Sequence, residues 1–351
     1  MNTLHLGLGI LVAGLLASPS AGSGPGNSGP VDVPAFIIGA DLSRVQQQEE
    51  SGMVFTDTDG SQPSGTTSTG GGLLAILANH GFNYVRLRLF VNPAAPGGYS
   101  SLGYCDLPHT IRFGVGVKRA GMGFLLDLHY SDTWADPGHQ AKPAAWAGLG
   151  FAELTAQVHD YTRDVITQFV ASGARPDMVQ IGNEIPSGLL WNEGRVSGKE
   201  FGNLCALLGA AIRGVKEVDP NIKIVLHLDR CHDLATNRWW VDGVQAEGVH
   251  FDILAESCYD LPGSQQPASA WAPTLSALAR AYPQLQFVVA EYSPAKRQVN
   301  DLVYSLPDER GLGAFIWEPT WWGERLFDED GRALPQFMSL FDSLATTSGQ
   351  R

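Results

Sequence analysis

The chain has 351 residues, of which 44% are hydrophobic and 17% charged, enough to bury one large core. A formal net charge of −13 repels phosphate backbones and anionic lipid, so nucleic acid, membrane surfaces and strongly anionic polymers are excluded as partners and a neutral one fits better. Trp is plentiful at nine, a mild pointer to stacking against sugar rings, although any single Trp serves equally well as core filling.

At the N-terminus an apolar run over 6–16 leads into small residues up to Gly22. Such a run is too short to span a bilayer and the right size for a signal-peptide core. Residues 1–22 therefore read as a signal peptide, with the cleavage point open among Ser18, Ser20 and Gly22, and the Gly-, Pro- and Ser-rich stretch 23–33 as a flexible leader. Export to an extracellular or periplasmic compartment follows from that reading.

From residue 34 to about 346 the chain alternates short apolar runs with longer segments of helical periodicity. The runs cover 36–41, 84–90, 123–129, 178–183, 223–227, 251–258, 286–291 and 313–317. The clearest helical segments are 107–119, 154–171, 201–218, 273–282 and 336–344. Such an alternation predicts an α/β fold, either a single-domain (β/α)8 TIM barrel or a doubly wound open sheet. No GxGxxG or GxxxxGK[ST] motif follows an early strand, which weakens the open nucleotide-binding sheet. The runs end, in order, at Asp41, Arg86 and Arg88, His129, Asn183 and Glu184, His227 and Asp229, Ser257 and Tyr259, Glu291, and Trp317 with Glu318. Polar residues gathered at strand C-termini are what a barrel active site requires.

The Gly-, Ser- and Thr-rich segment 56–72 reads as a mobile surface loop near the barrel mouth. Asp57-Thr58-Asp59-Gly60 and Asp328-Glu329-Asp330-Gly331 lack full calcium-loop spacing and read as ordinary turns. The four cysteines, Cys105, Cys205, Cys231 and Cys258, show no CxxC spacing and allow three pairings if all are oxidised. Cys231 and Cys258 follow neighbouring strands and are the first pair expected.

A glycosidic bond breaks through an oxocarbenium-like transition state, which needs a proton on the leaving oxygen and an anion beneath the anomeric carbon. Glu184 at the end of the fourth run and Glu291 at the end of the seventh would face each other across a closed barrel and supply both. Asn183 is placed to hydrogen-bond a sugar 2-hydroxyl, and Arg86 or Arg88 to keep Glu291 ionised. The stretch His129-Tyr130-Ser131-Asp132-Thr133-Trp134-Ala135-Asp136-Pro137 is dense in groups that recognise hydroxyls and stack on pyranoses, and Trp317, with Trp321 and Trp322 behind it, would form a second wall. Substrate contacts are thus expected from Asp41, Arg86, Arg88, His129, Ser131, Asp132, Trp134, Asp136, Asn183, His227, Tyr259 and Trp317. His–Asp clusters at a sugar site usually bind hydroxyls, so neither a metal nor a cofactor is expected.

Four of these segments carry a specific likeness: Gly39-Ala40-Asp41-Leu42-Ser43; Asn83-Tyr84-Val85-Arg86-Leu87-Arg88 with Val91-Asn92-Pro93; His129 through Pro137; and Val179-Gln180-Ile181-Gly182-Asn183-Glu184 with Gly188-Leu189-Leu190-Trp191. In them the chain resembles glycoside hydrolase family 53, the arabinogalactan endo-β-1,4-galactanases. That resemblance implies a (β/α)8 barrel, a retaining mechanism with Glu184 as acid/base and Glu291 as nucleophile, and internal cleavage of β-1,4-galactan in pectin side chains. The chain departs from the family at Ser257-Cys258-Tyr259-Asp260-Leu261-Pro262 and after Glu291, both bordering the cleft. A retaining glycosidase for another neutral β-linked polysaccharide is the alternative within this chemistry. A non-catalytic carbohydrate-binding barrel is the alternative outside it. A monomer is expected.

Overall fold

The computed structural model describes residues 36–63, 69–260 and 266–348. The signal-peptide and leader segments, and the middle of the 56–72 loop, lie outside the described residues. Eight parallel strands close on themselves in sequence order. They are β1 (Ile37–Asp41), β2 (Tyr84–Leu89), β3 (Gly123–Leu128), β4 (Met178–Ile181), β5 (Lys223–Leu228), β6 (Ile253–Ser257), β7 (Gln286–Tyr292) and β8 (Gly311–Trp317). Around them run α1 (Val45–Glu50), α2 (Gly71–Asn79), α3 (Leu107–Arg119), α4 (Phe151–Ala171), α5 (Gly202–Val218), α6 (Leu234–Ala246), α7 (Trp271–Ala281), α8 (Lys296–Tyr304) and α9 (Pro335–Ser348). The closed barrel is the first of the two α/β architectures that the alternation allowed.

Period-two alternation divides each strand between two environments. One set of side chains faces the helices and forms the main core; α4, for example, turns Leu154, Val158, Val165, Ile166 and Phe169 inward. The other set points into the barrel. Its lower part is apolar, a separate cluster containing Ile37, Tyr84, Leu125, Met178, Val225, Ile253, Val288 and Phe315. Large and small residues interlock there: a Cβ on Gly123 would lie 2.0 Å from the Tyr84 ring, and one on Gly39 would lie 2.4 Å from the Phe315 ring. Two residues beyond Gly39, Tyr84, Leu125 and Met178 the interior turns polar, at Asp41, Arg86, Asp127 and Gln180, all buried. The barrel is thus an apolar plug below and an ionic layer above.

The start of the 56–72 loop is fastened to the outer layer. Thr56 bridges Arg332, and Asp57 accepts from His80 at the end of α2. Asp57 and Asp328 each head a hydrogen-bonded turn, as their sequences indicate. Cys231 and Cys258 form a disulfide linking the ends of β5 and β6, whereas Cys105 and Cys205 are buried free thiols. Among the described residues, no helix is long and apolar enough to cross a membrane.

Candidate active site

The site is built on the ionic layer. Arg86, one of two buried arginines on β2, is its organiser. Its Nη1 lies 2.9 Å from Asp41 and 3.0 Å from Glu291, and its Nη2 donates to Asp127 at 2.8 Å and to Asn183 Oδ1 at 2.8 Å. Its Nε donates to Gln180. Arg88, one pleat higher, turns instead to Glu318 at 2.5 Å and sits 4.5 Å over the Trp134 ring. Burial alone would expel both cations; the carboxylates facing them keep them charged. Asp127 likewise stays below the usual carboxylate range despite its burial, because Arg86 and His129 face it.

A register shift decides where Glu291 points. Along β6 and β7 the pairing runs Glu256 with Val289 and then Ser257 with Glu291, so β7 carries one extra residue. Strict alternation from the inward Val288 would send Glu291 toward the helices. The bulge turns it into the barrel, the re-aiming such irregularities provide next to active sites. Glu184 reaches the same place by another route. Gly182 and Glu184 both have left-handed backbones, φ 77° and 46°, so the chain kinks at the end of β4 and lifts the side chain over the rim.

One oxygen of Glu184, one of Glu291 and a ring nitrogen of His227 lie within 4.8 Å of one another. The two carboxyls have different surroundings. Glu291 Oε1 is ion-paired with Arg86 at 3.0 Å, and its Oε2 accepts from the Tyr259 hydroxyl at 3.2 Å. Among the described residues, the Glu184 carboxyl has only the Ser257 hydroxyl, 2.6 Å from Oε1. Burial pushes both carboxyls up. Glu291 rises to about 7 against the pull of Arg86, and Glu184 rises well above the usual range, pushed further by Glu291 and Asp229. Two carboxyls this close titrate as a pair. Their first shared proton goes to Glu184, which has no cation in contact. The same three residues have a spacing that would admit a metal ion. Both ring nitrogens of His227 are already engaged, however: Nδ1 with Gln180, and Nε2 with Ser257.

Above the pair is a cavity of about 200 Å³, lined by Arg86, Arg88, His129, Trp134, Ala135, Asp136, Asn183, Glu184, Glu291 and Trp317. Trp134 and Trp317 meet at 6.1 Å between ring centres and form one aromatic wall, with Trp321 and Trp322 packed behind Trp317. Both expected carboxylates, and Arg86, Arg88, His129, Trp134, Asp136, Asn183 and Trp317, are therefore brought together on the cavity surface.

The other five expected contact residues are outside the lining of this cavity and hold partners within the protein. Asp41 is sealed beneath Arg86 and Arg88 and accepts from Ser43. Ser131 is buried, with its backbone carbonyl bound to Val91. Asp132 fixes loop backbone by accepting from Asn92 and Ala144. His227 lies fully buried under Asn183 and Ser257, and Tyr259 spends its hydroxyl on Glu291. Four further residues of the network are not among the substrate contacts expected from the sequence: Asp127, Gln180, Glu318 and Tyr99, which receives Arg88 at 3.1 Å. A signal existed for Asp127, a lone acid inside the apolar run Phe124-Leu125-Leu126-Asp127-Leu128.

Residues 37–301 match the family described as Glycosyl hydrolase family 53. An arabinogalactan endo-β-1,4-galactanase of Thermothelomyces thermophilus is 33% identical over 314 residues, covering 81% of this chain and 89% of that protein. Among solved structures, a chain from a study of two fungal β-1,4-galactanases is 31% identical with a TM-score of 0.75, covering 86% of this chain and 98% of its own. The catalytic domain of a family 53 enzyme from Ignisphaera aggregans is 31% identical with a TM-score of 0.77, over 90% of this chain and 98% of its own. The closed barrel, the paired carboxyls at its mouth and these matches lead to one assignment: the chain belongs to glycosyl hydrolase family 53 and is a glycoside hydrolase.

Proposed function

We propose that this protein is an exported, monomeric, retaining endo-β-1,4-galactanase, with residues 34–346 as its catalytic domain. The observation that carries the mechanism is the placement of Glu184 and Glu291, with oxygens within 4.8 Å across the cavity floor and unlike partners. Retaining enzymes hold their carboxyls about 5–5.5 Å apart, whereas inverting ones leave room for an intervening water at roughly 6.5–9.5 Å.

In the first step Glu291, whose ionised form Arg86 and Tyr259 favour against its burial, attacks the anomeric carbon. Glu184 gives its proton to the glycosidic oxygen as that bond breaks. With the proton gone, Glu184 is a carboxylate and takes a proton from water; the hydroxide portion displaces Glu291 and the enzyme returns to its starting state. Asn183 spends one amide hydrogen on Ala135 and has a second for a sugar hydroxyl. The Trp134–Trp317 wall offers flat faces to pyranose rings.

The galactan assignment is supported by the family, by the named relatives and by the acidic charge of the chain, which favours a neutral polymer. Export is supported by the apolar 6–16 run and by the Cys231–Cys258 disulfide, a bond that persists in oxidising compartments. The test is hydrolysis of purified β-1,4-galactan with product sizes followed over time, beside β-glucan, mannan and xylan, and with the anomer of the first product read by NMR. Early short oligosaccharides of retained β configuration, from galactan alone, are expected. Initial release of the α anomer would overturn the retaining assignment, and activity on another polymer would overturn the substrate.

A further inference from the structure

The chain that follows β8 carries a fastening that the scheme above leaves without a task. The backbone N–H groups of Trp321 and Trp322 donate to Glu318 O at 3.1 and 3.0 Å, and Leu326 returns the chain by donating to Pro319 O at 2.7 Å. Between them, Gly323 and Glu324 are exposed, and Arg325 pairs only with Glu329 of the same loop. Among the described residues, the hydrogen bonds and ion pairs that tie this limb to other elements are all made by Glu324. Its N–H donates to Ser293 Oγ at 2.8 Å, and its Oε2 is ion-paired with Lys296 Nζ. Lys296, the first residue of α8, is 3% exposed; its ammonium also donates to Ser293 O at 3.1 Å and lies 4.2 Å from the centre of the Phe337 ring. Gly323 has φ 59°, and a Cβ there would lie 2.2 Å from Ser293 Oγ, so only glycine allows the two turns to approach this closely.

Helix formation does not account for a lysine in this place. Burial opposes its charge and pulls its pKa down, against Glu324. The start of the nine-residue α8 is also the end of a helix that favours anions. Its partners give it another meaning. Ser293 stands two residues beyond Glu291 on the strand of the nucleophile, and Glu324 two residues beyond Trp322. The Trp322 ring meets Trp317 edge-on at 4.8 Å and Tyr259 edge-on at 5.6 Å. Tyr259 has its own hydroxyl bond to Glu291. Trp317, which lines the cavity, is packed through ring contacts to Trp134, Trp321 and Trp322.

We propose that Lys296, with Ser293 and Glu324, is a positioning latch for the substrate-binding wall: it clamps the limb after Trp322 to the end of β7, and so fixes Trp322 behind Trp317 and Trp317 at the cavity. Lys296 is not part of the cavity lining and acts through these rings. Its effect falls on binding rather than on bond cleavage, because Glu291 keeps Arg86 and Tyr259, and Glu184 keeps Ser257, whether or not the latch is closed. This inference rests on the galactanase reading, which names the polymer used in the assay.

The experiment is steady-state hydrolysis of β-1,4-galactan by the parent, Lys296→Met, Glu324→Ala and the double variant. Glu324 is exposed, so its variant folds even if Met is not tolerated at 296. Each single change is expected to raise KM about three- to tenfold, because side chains ordered in advance must then be ordered on binding. The accompanying change in kcat is expected to stay within about twofold, the pattern of binding shared by ground and transition states. The double variant should be no worse than the poorer single, since both changes open the same latch. An unmoved KM in the single variants, or a double-variant effect equal to the product of the two, would overturn the proposal. A second measurement bypasses activity. Near-UV circular dichroism, which reports the packing of Trp and Tyr rings, should weaken in the variants while the far-UV spectrum is retained. A lower Tm with the parent's KM and near-UV spectrum would make Lys296 merely structural and refute the latch. The two readings separate cleanly. If the parent does not cleave galactan, the galactanase reading fails and the near-UV spectra still decide the latch. If the parent cleaves it and the variants keep its KM and spectrum, only the latch fails.

Discussion

Arg86 touches Asp41, Asp127 and Glu291 in a layer from which water is excluded, and its replacement by Met is the most informative perturbation of this barrel. Met fills much of the same volume, so the main effect is electrostatic. Removing one partner of a buried ion pair costs about 3–5 kcal/mol, because the remaining charge is stranded. Here three carboxyls lose their common cation. The cost has a predictable pH dependence. In the parent, Asp127 has a folded pKa below its ordinary value, with Arg86 and His129 overcoming burial. Its contribution is therefore fully present above the unfolded carboxylate pKa, about 4, and lost as pH falls through the folded value. In the variant, burial without Arg86 raises the folded pKa instead, so the buried carboxyl becomes a penalty that grows from about pH 4 toward 7. Urea unfolding followed by Trp fluorescence at pH 4.5 and pH 7 measures this directly. The deficit relative to the parent is expected to reach about 3 kcal/mol or more at pH 7 and to shrink markedly at pH 4.5. A deficit of the same size at both values would mean that Arg86 acts by packing, and the argument from a shared cation would fall.

Other consequences are smaller. Tyr259→Phe removes a donor from Glu291 Oε2, at 3.2 Å in the parent, so the Glu291 pKa rises from about 7. The acidic limb of the kcat/KM profile should then move up by about 0.5–1 unit, and an unmoved limb would detach Tyr259 from the nucleophile. Cys231 and Cys258 close a loop 27 residues apart, for which chain entropy predicts about 3.5 kcal/mol of stabilisation. Cys231→Ser should therefore lower the urea midpoint in oxidising buffer, and the parent treated with reductant should unfold at about the same midpoint as the variant.

Much of the architecture was legible because a buried parallel strand is a short apolar run and a surface helix has a 3.6-residue period. The predicted helix over 107–119 coincides with α3, where Asp106 caps the first turn and Lys118 and Arg119 close the last. The helix α2, Gly71–Asn79, is not among the clearest segments because its start continues a Gly-rich loop, and α6, Leu234–Ala246, because two tryptophans and a central Gly blur its periodicity. In the site, residues at strand ends were read correctly as a cluster. Their ranking into surface and support was not readable, because that depends on which side chain reaches past which. Asp41 and His227 carry the same chemistry as Asp136 and His129, and only the layer in which each sits separates a cavity wall from a foundation.

The orientation of Glu291 shows the limit most sharply. Counting by twos along Val288-Val289-Ala290-Glu291 places the carboxyl among the helices, where an unpaired charge would be costly. The sequence reading put it in the mouth on chemical grounds, by asking which acid faces Glu184. The structure reconciles the two with one extra residue in β7, opposite the Glu256–Ser257 step. That step also sets Ser257 beneath Glu184 and leads to Tyr259 against Glu291. A single irregularity between β6 and β7 thus aims one carboxyl and supplies hydrogen-bond partners to both. A strand of perfect alternation could do neither. The unlike surroundings of the two glutamates, and with them the division of acid from nucleophile, are in this sense a property of the bulge before they are a property of the residues.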